Sequence, residues 1–266
     1  MGLVAAVPAA AAPTRVVNCN ENPYALQPAI DVALPGTVLQ VQGRCIGPFT
    51  FSVDKNLTLS GRQNAVLDGN RTDATVTVQA GVRVHFANVT ITNGTGHNSG
   101  AAGGGIFNDG TVTLDMSTVS GGSAEFGGGI FNDTGATLTV NRSTVSSNTS
   151  GQGGGGILNA GMMTMDHSAV SGNTANRSGG GIVNQGTANL TSSNVSNNAT
   201  GRFGGGIAQV SGTLTLDHAT VIDNTALNDG GGIFYTAGTV TLTNSRVRNN
   251  APDNCAPPNT IPGCTG

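Results

Sequence analysis

Asp109 and Asp133 each stand three residues after the isoleucine of a Gly-Gly-Gly-Ile motif, and each follows an asparagine, Asn108 or Asn132. If the two motifs stack as neighbouring parallel strands, the carboxylates come about 5 Å apart. With the two amides they would make the oxygen-rich set that Ca²⁺ takes. The equivalent positions further along are Ala160, Gln185, Val210 and Thr236, so the cluster belongs to two motifs only. An aspartate after an asparagine also makes a turn unaided, and the sequence favours that reading. No cofactor is required by any motif, and Ca²⁺ is the one ion that these residues suggest.

Asp115, Asp166 and Asp217 form a second carboxylate series. Each is two motifs from the next, about 10 Å in a stack, too far to share a proton or a metal. His167 and His218 directly follow two of them. Successive strand residues point to opposite faces, so the Asp-His neighbours are expected to be exposed edge residues and not dyads. Arg142 flanks the same series, Arg246 and Arg248 make a small basic spot near the end, and Asp68 in VLDGN reads as a turn.

Hydroxyls are more regular than charges. Thr111, Thr137, Thr187, Thr213 and Thr239 predict one outward column, and Thr113, Thr139, Thr164, Thr215 and Thr241 a second. Flat TxT ladders of this kind resemble the ice-binding faces of some antifreeze proteins, although threonine is also simply favoured on exposed strands. Met162 and Asn189 interrupt the two columns. Phe107, Phe131 and Phe234 share a further column with Leu158, Val183 and Ala208, a mixture that suggests packing. Asn148, Asn173, Asn198, Asn224 and Asn250 recur as a structural ladder.

What must position these residues is a repeat. GGGI ends at Ile106, Ile130, Ile157, Ile182, Ile207 and Ile233, in steps of 24, 27, 25, 25 and 26. Valines 119, 145, 170, 195, 221 and 247 keep the same period independently. Each repeat holds three strand-like pieces, GIFN, TVTL and TVSxN, separated by Gly, Asn, Asp and Ser. The middle piece alternates polar and apolar, as a strand with one buried face must. One such unit cannot bury its aliphatic face, but a stack of coils can. The fold class predicted is all-β: a right-handed single-stranded parallel β-helix, a solenoid, with an N-terminal helical cap.

Residues 1–12 read as a truncated signal peptide, 13–56 as the cap and first coil, 57–250 as coils, and 251–266 as a C-terminal disulfide cap. YALQPAIDVAL predicts a capped amphipathic helix with Leu26, Ile30 and Ala33 on one face, weakened by Pro28 and ended by Pro35-Gly36. Cys19 and Cys45 lie near one end, Cys255 and Cys264 near the other. Four cysteines allow three pairings, of which the local pairs suit an elongated molecule. The tail after Ala251 is too proline-rich for a further coil.

Forty-two glycines would suit a disordered chain, but a net charge of -3 and regularly placed Val, Ile, Leu and Thr argue against it. One lysine, Lys55, and a mildly acidic balance argue against a nucleic-acid surface, which needs clustered positive charge. No apolar run is long enough for a membrane span.

The segment ALQPAIDVALPGTVLQVQGRC, followed by LTLSG, VLDG and the GGGIFNDGTVTL–STVSGN repeats, resembles bacterial β-helix proteins of the pectin-lyase-like superfamily. It is nearest to secreted repeat proteins with polymorphic-outer-membrane-protein-like glycine-rich coils. The resemblance implies the fold across nearly the whole chain and leaves the activity open, because the superfamily holds lyases, hydrolases and adhesins. The NTD, DD, GHG and RIK motifs of its hydrolases are missing. The sequence therefore reads as a secreted, extracellular or cell-surface structural or adhesive module whose partner is a polysaccharide or another extracellular ligand. A divergent Ca²⁺-dependent polysaccharide lyase is the alternative, and an ice-binding solenoid a minor one. The positions that break the repeat, including the loop from Thr92 to Gly103, are where specificity is expected.

Overall fold

The computed structural model describes residues 12–264, so the leader reading of the first residues lies outside it. The chain winds as a right-handed parallel β-helix of about nine turns. Every strand pairs in parallel with its counterpart one coil away. Nine rungs stack into one sheet that includes Ile106–Asn108, Ile130–Asn132 and Ile157–Asn159. A larger sheet carries the TVTL and TVS pieces, and a short five-stranded sheet fills the third side of the later coils.

The residue pattern explains each strand. In Thr111–Asp115 and Thr137–Asn141 alternate side chains are buried and half-exposed, so Val112, Leu114, Leu138 and Val140 enter the core and the threonines face out. Ile106, Ile130, Ile157, Ile182, Ile207 and Ile233 are each 0% exposed. That single isoleucine column ties all the later coils into one core.

The bends need left-handed backbone. Met116, Arg142, His167, Ser192, His218 and Asn244 hold φ between +45° and +51° at one corner of successive coils. The corner before each isoleucine is sharper. Gly127, Gly154 and Gly179 have φ near +60°, and a Cβ there would strike the backbone of the isoleucine three residues on. Only glycine meets both demands.

Buried amides bind the coils together. The expected ladder is present: Asn148, Asn173, Asn198 and Asn224 each donate Nδ2–H to the Oδ1 of the next asparagine, ending on Asn250, at 2.9–3.0 Å. A second ladder runs through Asn108, Asn132, Asn159, Asn184 and Gln209 at 2.7–2.8 Å.

At the N-terminal end Leu26–Asp31 forms a helix with Leu26, Ala29 and Ile30 buried. It is shorter than the sequence suggests, and Pro28 is accommodated because it lies in the first turn, where no N–H is needed. The N-cap is Ala25, without a side-chain cap; Asn22 instead accepts the Tyr24 N–H through Oδ1 in a local turn. Cys19 is bonded to Cys45 and Cys255 to Cys264, closing 26- and 9-residue separations at opposite ends. The proline-rich tail does more than close a loop: Cys255–Ala256 pairs with Ile233 and Phe234 as the last rung of the nine-stranded sheet.

Candidate functional site

The nine-stranded sheet is buried on its inner face, and its outer face forms a channel floor. One outward residue from each of its first eight rungs lines it: Ser52, Thr77, Phe107, Phe131, Leu158, Val183, Ala208 and Phe234. Leu158, Val183 and Ala208 are at most 5% exposed and pack with Phe131 and Val210 in a cluster separate from the main core. That much agrees with packing. Phe107 and Phe131 differ: both are half-exposed, and their rings lie parallel within 5° at 5.6 Å between centroids.

One side of the channel is a wall of backbone bridges that runs Ala102, Phe126, Gly153, Ser178, Phe203, Asp229. Gln152 and Arg177 join it around a recess of about 190 Å³ above Leu158 and Val183. The other side is formed by the turns that hold Gln79, Asp109, Gln185 and Val210.

The widest part, about 510 Å³, lies over the early coils. Thr50, Ser52, Thr77, Gln79, His97 and Asp109 surround Phe107 there. The loop between Thr92 and Gly103 delivers His97. It breaks the repeat with a short helix, His97–Gly100, held by the His97 N–H to the Ala102 carbonyl at 2.6 Å. The imidazole packs on Phe107 at 4.9 Å, and Nδ1 lies 3.4 Å from Asp73 Oδ1. Phe107 supplies an apolar patch on which polar groups converge, a combination that ligand sites use.

Of the four oxygen donors expected to cluster, the structure keeps two. Asn108 and Asn132 are fully buried, and their amides are consumed by the inner ladder. They alternate with their neighbours across the sheet and so face the core. Asp109 and Asp133 stay on the outside, Asp109 in the cleft and Asp133 capping the Thr134 N–H at 2.6 Å. The four-donor Ca²⁺ set is thereby corrected to a pair of carboxylates with separate surroundings. Among the described residues no three His, Cys, Asp or Glu side chains gather as metal ligands.

The Asp-His neighbours are exposed, as expected, but they do not point to opposite faces. His167 Nδ1 meets Asp166 Oδ1 at 2.9 Å, and His218 meets Asp217 at 2.8 Å. Strand alternation fails because each histidine sits at a left-handed corner, which swings its side chain back beside the aspartate. Both pairs are well exposed and line none of the clefts described above. Asp115 is engaged differently, by His85 Nε2 at 2.6 Å and by the Asn141 amide at 2.9 Å. Asp68 forms its turn, accepting the Asn70 N–H, and also pairs with Arg44.

The threonine columns fall in register. Thr111, Thr137, Thr187, Thr213 and Thr239 share one rank, and Thr113, Thr139, Thr164, Thr215 and Thr241 the other. Met162, 60% exposed, and Asn189 interrupt them where counted. This hydroxyl face lies on the larger sheet, away from the channel.

No family model matches the chain, and no curated protein matches it. Two solved structures share its fold. One is a pectin methylesterase from Aspergillus niger in penultimately deglycosylated form, with a TM-score of 0.52 at 13% identity over 90% of this chain and 86% of that one. The other is the deglycosylated form of that enzyme, at 0.50 and 11% identity, over 98% and 93%. At such identity the likeness is one of fold.

Proposed function

We propose that this protein is an extracellular binding module that holds an extended polysaccharide chain in the channel over its nine-stranded sheet. The observation that carries the reading is the parallel Phe107–Phe131 pair beside a cleft edged by hydroxyl, amide, imidazole and carboxylate groups. Half-exposed aromatic rings offer apolar contact to the C–H groups of sugars, and flanking polar groups suit their hydroxyls. A floor repeated from coil to coil fits a ligand that is itself a repeat. The structural neighbours are named for an activity on pectin, a polysaccharide, which supports a ligand of that class. Disulfides at both ends suit an oxidising compartment outside the cytosol. Among the described residues no helix is long and apolar enough to cross a membrane.

The test is binding of the purified chain to a panel of immobilised plant and microbial polysaccharides. Phe131→Ala is expected to weaken the best ligand about tenfold, and Gln185→Ala, at the exposed edge of the recess beyond it, to weaken it several-fold. Wild-type affinity in both variants, or no ligand on the panel, would sink the reading.

A further inference from the structure

We infer that His97 and Asp73 form a general-base pair in the cleft, and that the protein hydrolyses O-acyl esters carried by the bound sugar chain. The inference rests on the channel being a glycan site.

The geometry sets the imidazole's two sides apart. Nδ1 has essentially no solvent contact and no aligned hydrogen bond, and it faces Asp73 Oδ1 at 3.4 Å. The side chain as a whole is nevertheless 29% exposed and lines the cleft. The exposed part of the ring is therefore on the side away from Nδ1, and the imidazole packs on Phe107. A base oriented by a carboxylate behind it and open to a bound ligand in front is the arrangement proton abstraction needs. Such contacts commonly tighten only when substrate binds.

The lining selects the reaction. Glycoside hydrolysis needs two carboxyl groups astride the bond, and Asp109 is the one carboxylate that lines this cleft. β-Elimination from a uronate builds negative charge that a cation must meet, and among the described residues no Lys or Arg lines the cleft. Ester hydrolysis asks for a base and neutral donors to the oxyanion, and the groups that line this cleft beside His97 are of that kind: the Gln79 amide and the Thr77 hydroxyl. A uronate methyl ester would leave its new carboxylate on the chain, facing Asp109. An O-acyl ester leaves a neutral hydroxyl on the chain and sends the carboxylate into solvent.

In the step, His97 Nε2 takes a proton from water as the water oxygen adds to the acyl carbon, and the carbonyl electron pair moves to oxygen. The intermediate collapses, the acyl carbon–sugar oxygen bond breaks, and the sugar oxygen takes the proton back from Nε2. The products are a free sugar hydroxyl and a carboxylic acid, which ionises in water. No other reactant is consumed.

The experiment measures acetate release from acetylated xylan and 4-nitrophenolate release from 4-nitrophenyl acetate by the full chain. His97→Gln, with the wild-type melting temperature, should lower kcat at least about 100-fold on both, as loss of a general base does. Asp73→Asn should lower kcat with KM unchanged, and Asp73→Glu should restore part of it, which marks Asp73 as a positioning residue. No release by the wild type, or equal rates in His97→Gln, while polysaccharide still binds, would overturn this inference and leave the binding site standing. His97-dependent cleavage of the small ester without binding of any polysaccharide would instead remove the glycan reading beneath it.

Discussion

Asn132 donates its side-chain amide to Asn159 Oδ1 at 2.7 Å inside the coil stack, while its neighbour Asp133 faces solvent. The relationship makes an apparent surface ligand into a core residue. Replacing Asn159 by alanine removes that acceptor and also the donor to Asn184 Oδ1, at 2.8 Å. Each orphaned buried group costs about 1–3 kcal/mol. Asn159→Ala is expected to lower unfolding free energy by several kcal/mol in a denaturant titration, whereas Asp133→Ala should change it by less than about 0.5 kcal/mol.

Ile182 occupies the middle of the isoleucine column and is 0% exposed. Ile182→Ala opens a cavity between coils that stack rigidly above and below. A loss of about 2–5 kcal/mol is expected from thermal or denaturant unfolding.

Gly154 holds φ +67° where a Cβ would meet the Ile157 carbonyl. Gly154→Ala should therefore destabilise by more than the ~1–2 kcal/mol of left-handed backbone alone. Gly135, at φ +85° with open space around it, gives the control: Gly135→Ala should cost only the backbone part, read as the smaller fall in melting temperature.

The two disulfides differ in the loops they close, 26 residues against 9. Loop-closure entropy makes the longer the more stabilising, about 3 kcal/mol. The Cys19→Ser/Cys45→Ser double variant should melt lower than Cys255→Ser/Cys264→Ser, with calorimetry as the check.

Gln185 is exposed, edges the recess over Leu158 and Val183, and does not line the cleft around His97. If the channel holds a long chain, Gln185→Ala should weaken a polysaccharide far more than a disaccharide of the same sugar. Equal losses for both in titration calorimetry would confine the ligand to the cleft over Phe107.

The coil and its period were legible because they depend on local spacing that a stack repeats, and the cysteine pairing because the two pairs lie at opposite ends of an elongated molecule. The inward valines and leucines followed from alternation, and the asparagine ladder from its constant offset. Alternation misled only at corners. His167 and His218 are read as facing away from their aspartates by the two-residue period, yet φ above +45° turns them back. Asn108 and Asn132 passed for ligands because their type suits Ca²⁺; the same alternation applied to Ile106 and Ile130 would have placed them inside. His97 and Asp73 escaped notice because no repeat links them. The one signal was that residues 92–103 depart from the period.

The sequence by itself determined what is periodic: strands, buried columns and hydroxyl ranks. Hydrophobic burial and parallel pairing act identically on every coil, so one coil's pattern stands for all. Only the tertiary structure decided which outward column becomes a channel. That depends on a wall of bends from Ala102 to Asp229 and on one inserted loop. It brings His97 to Asp73 across 24 residues of chain, a contact that no spacing rule encodes.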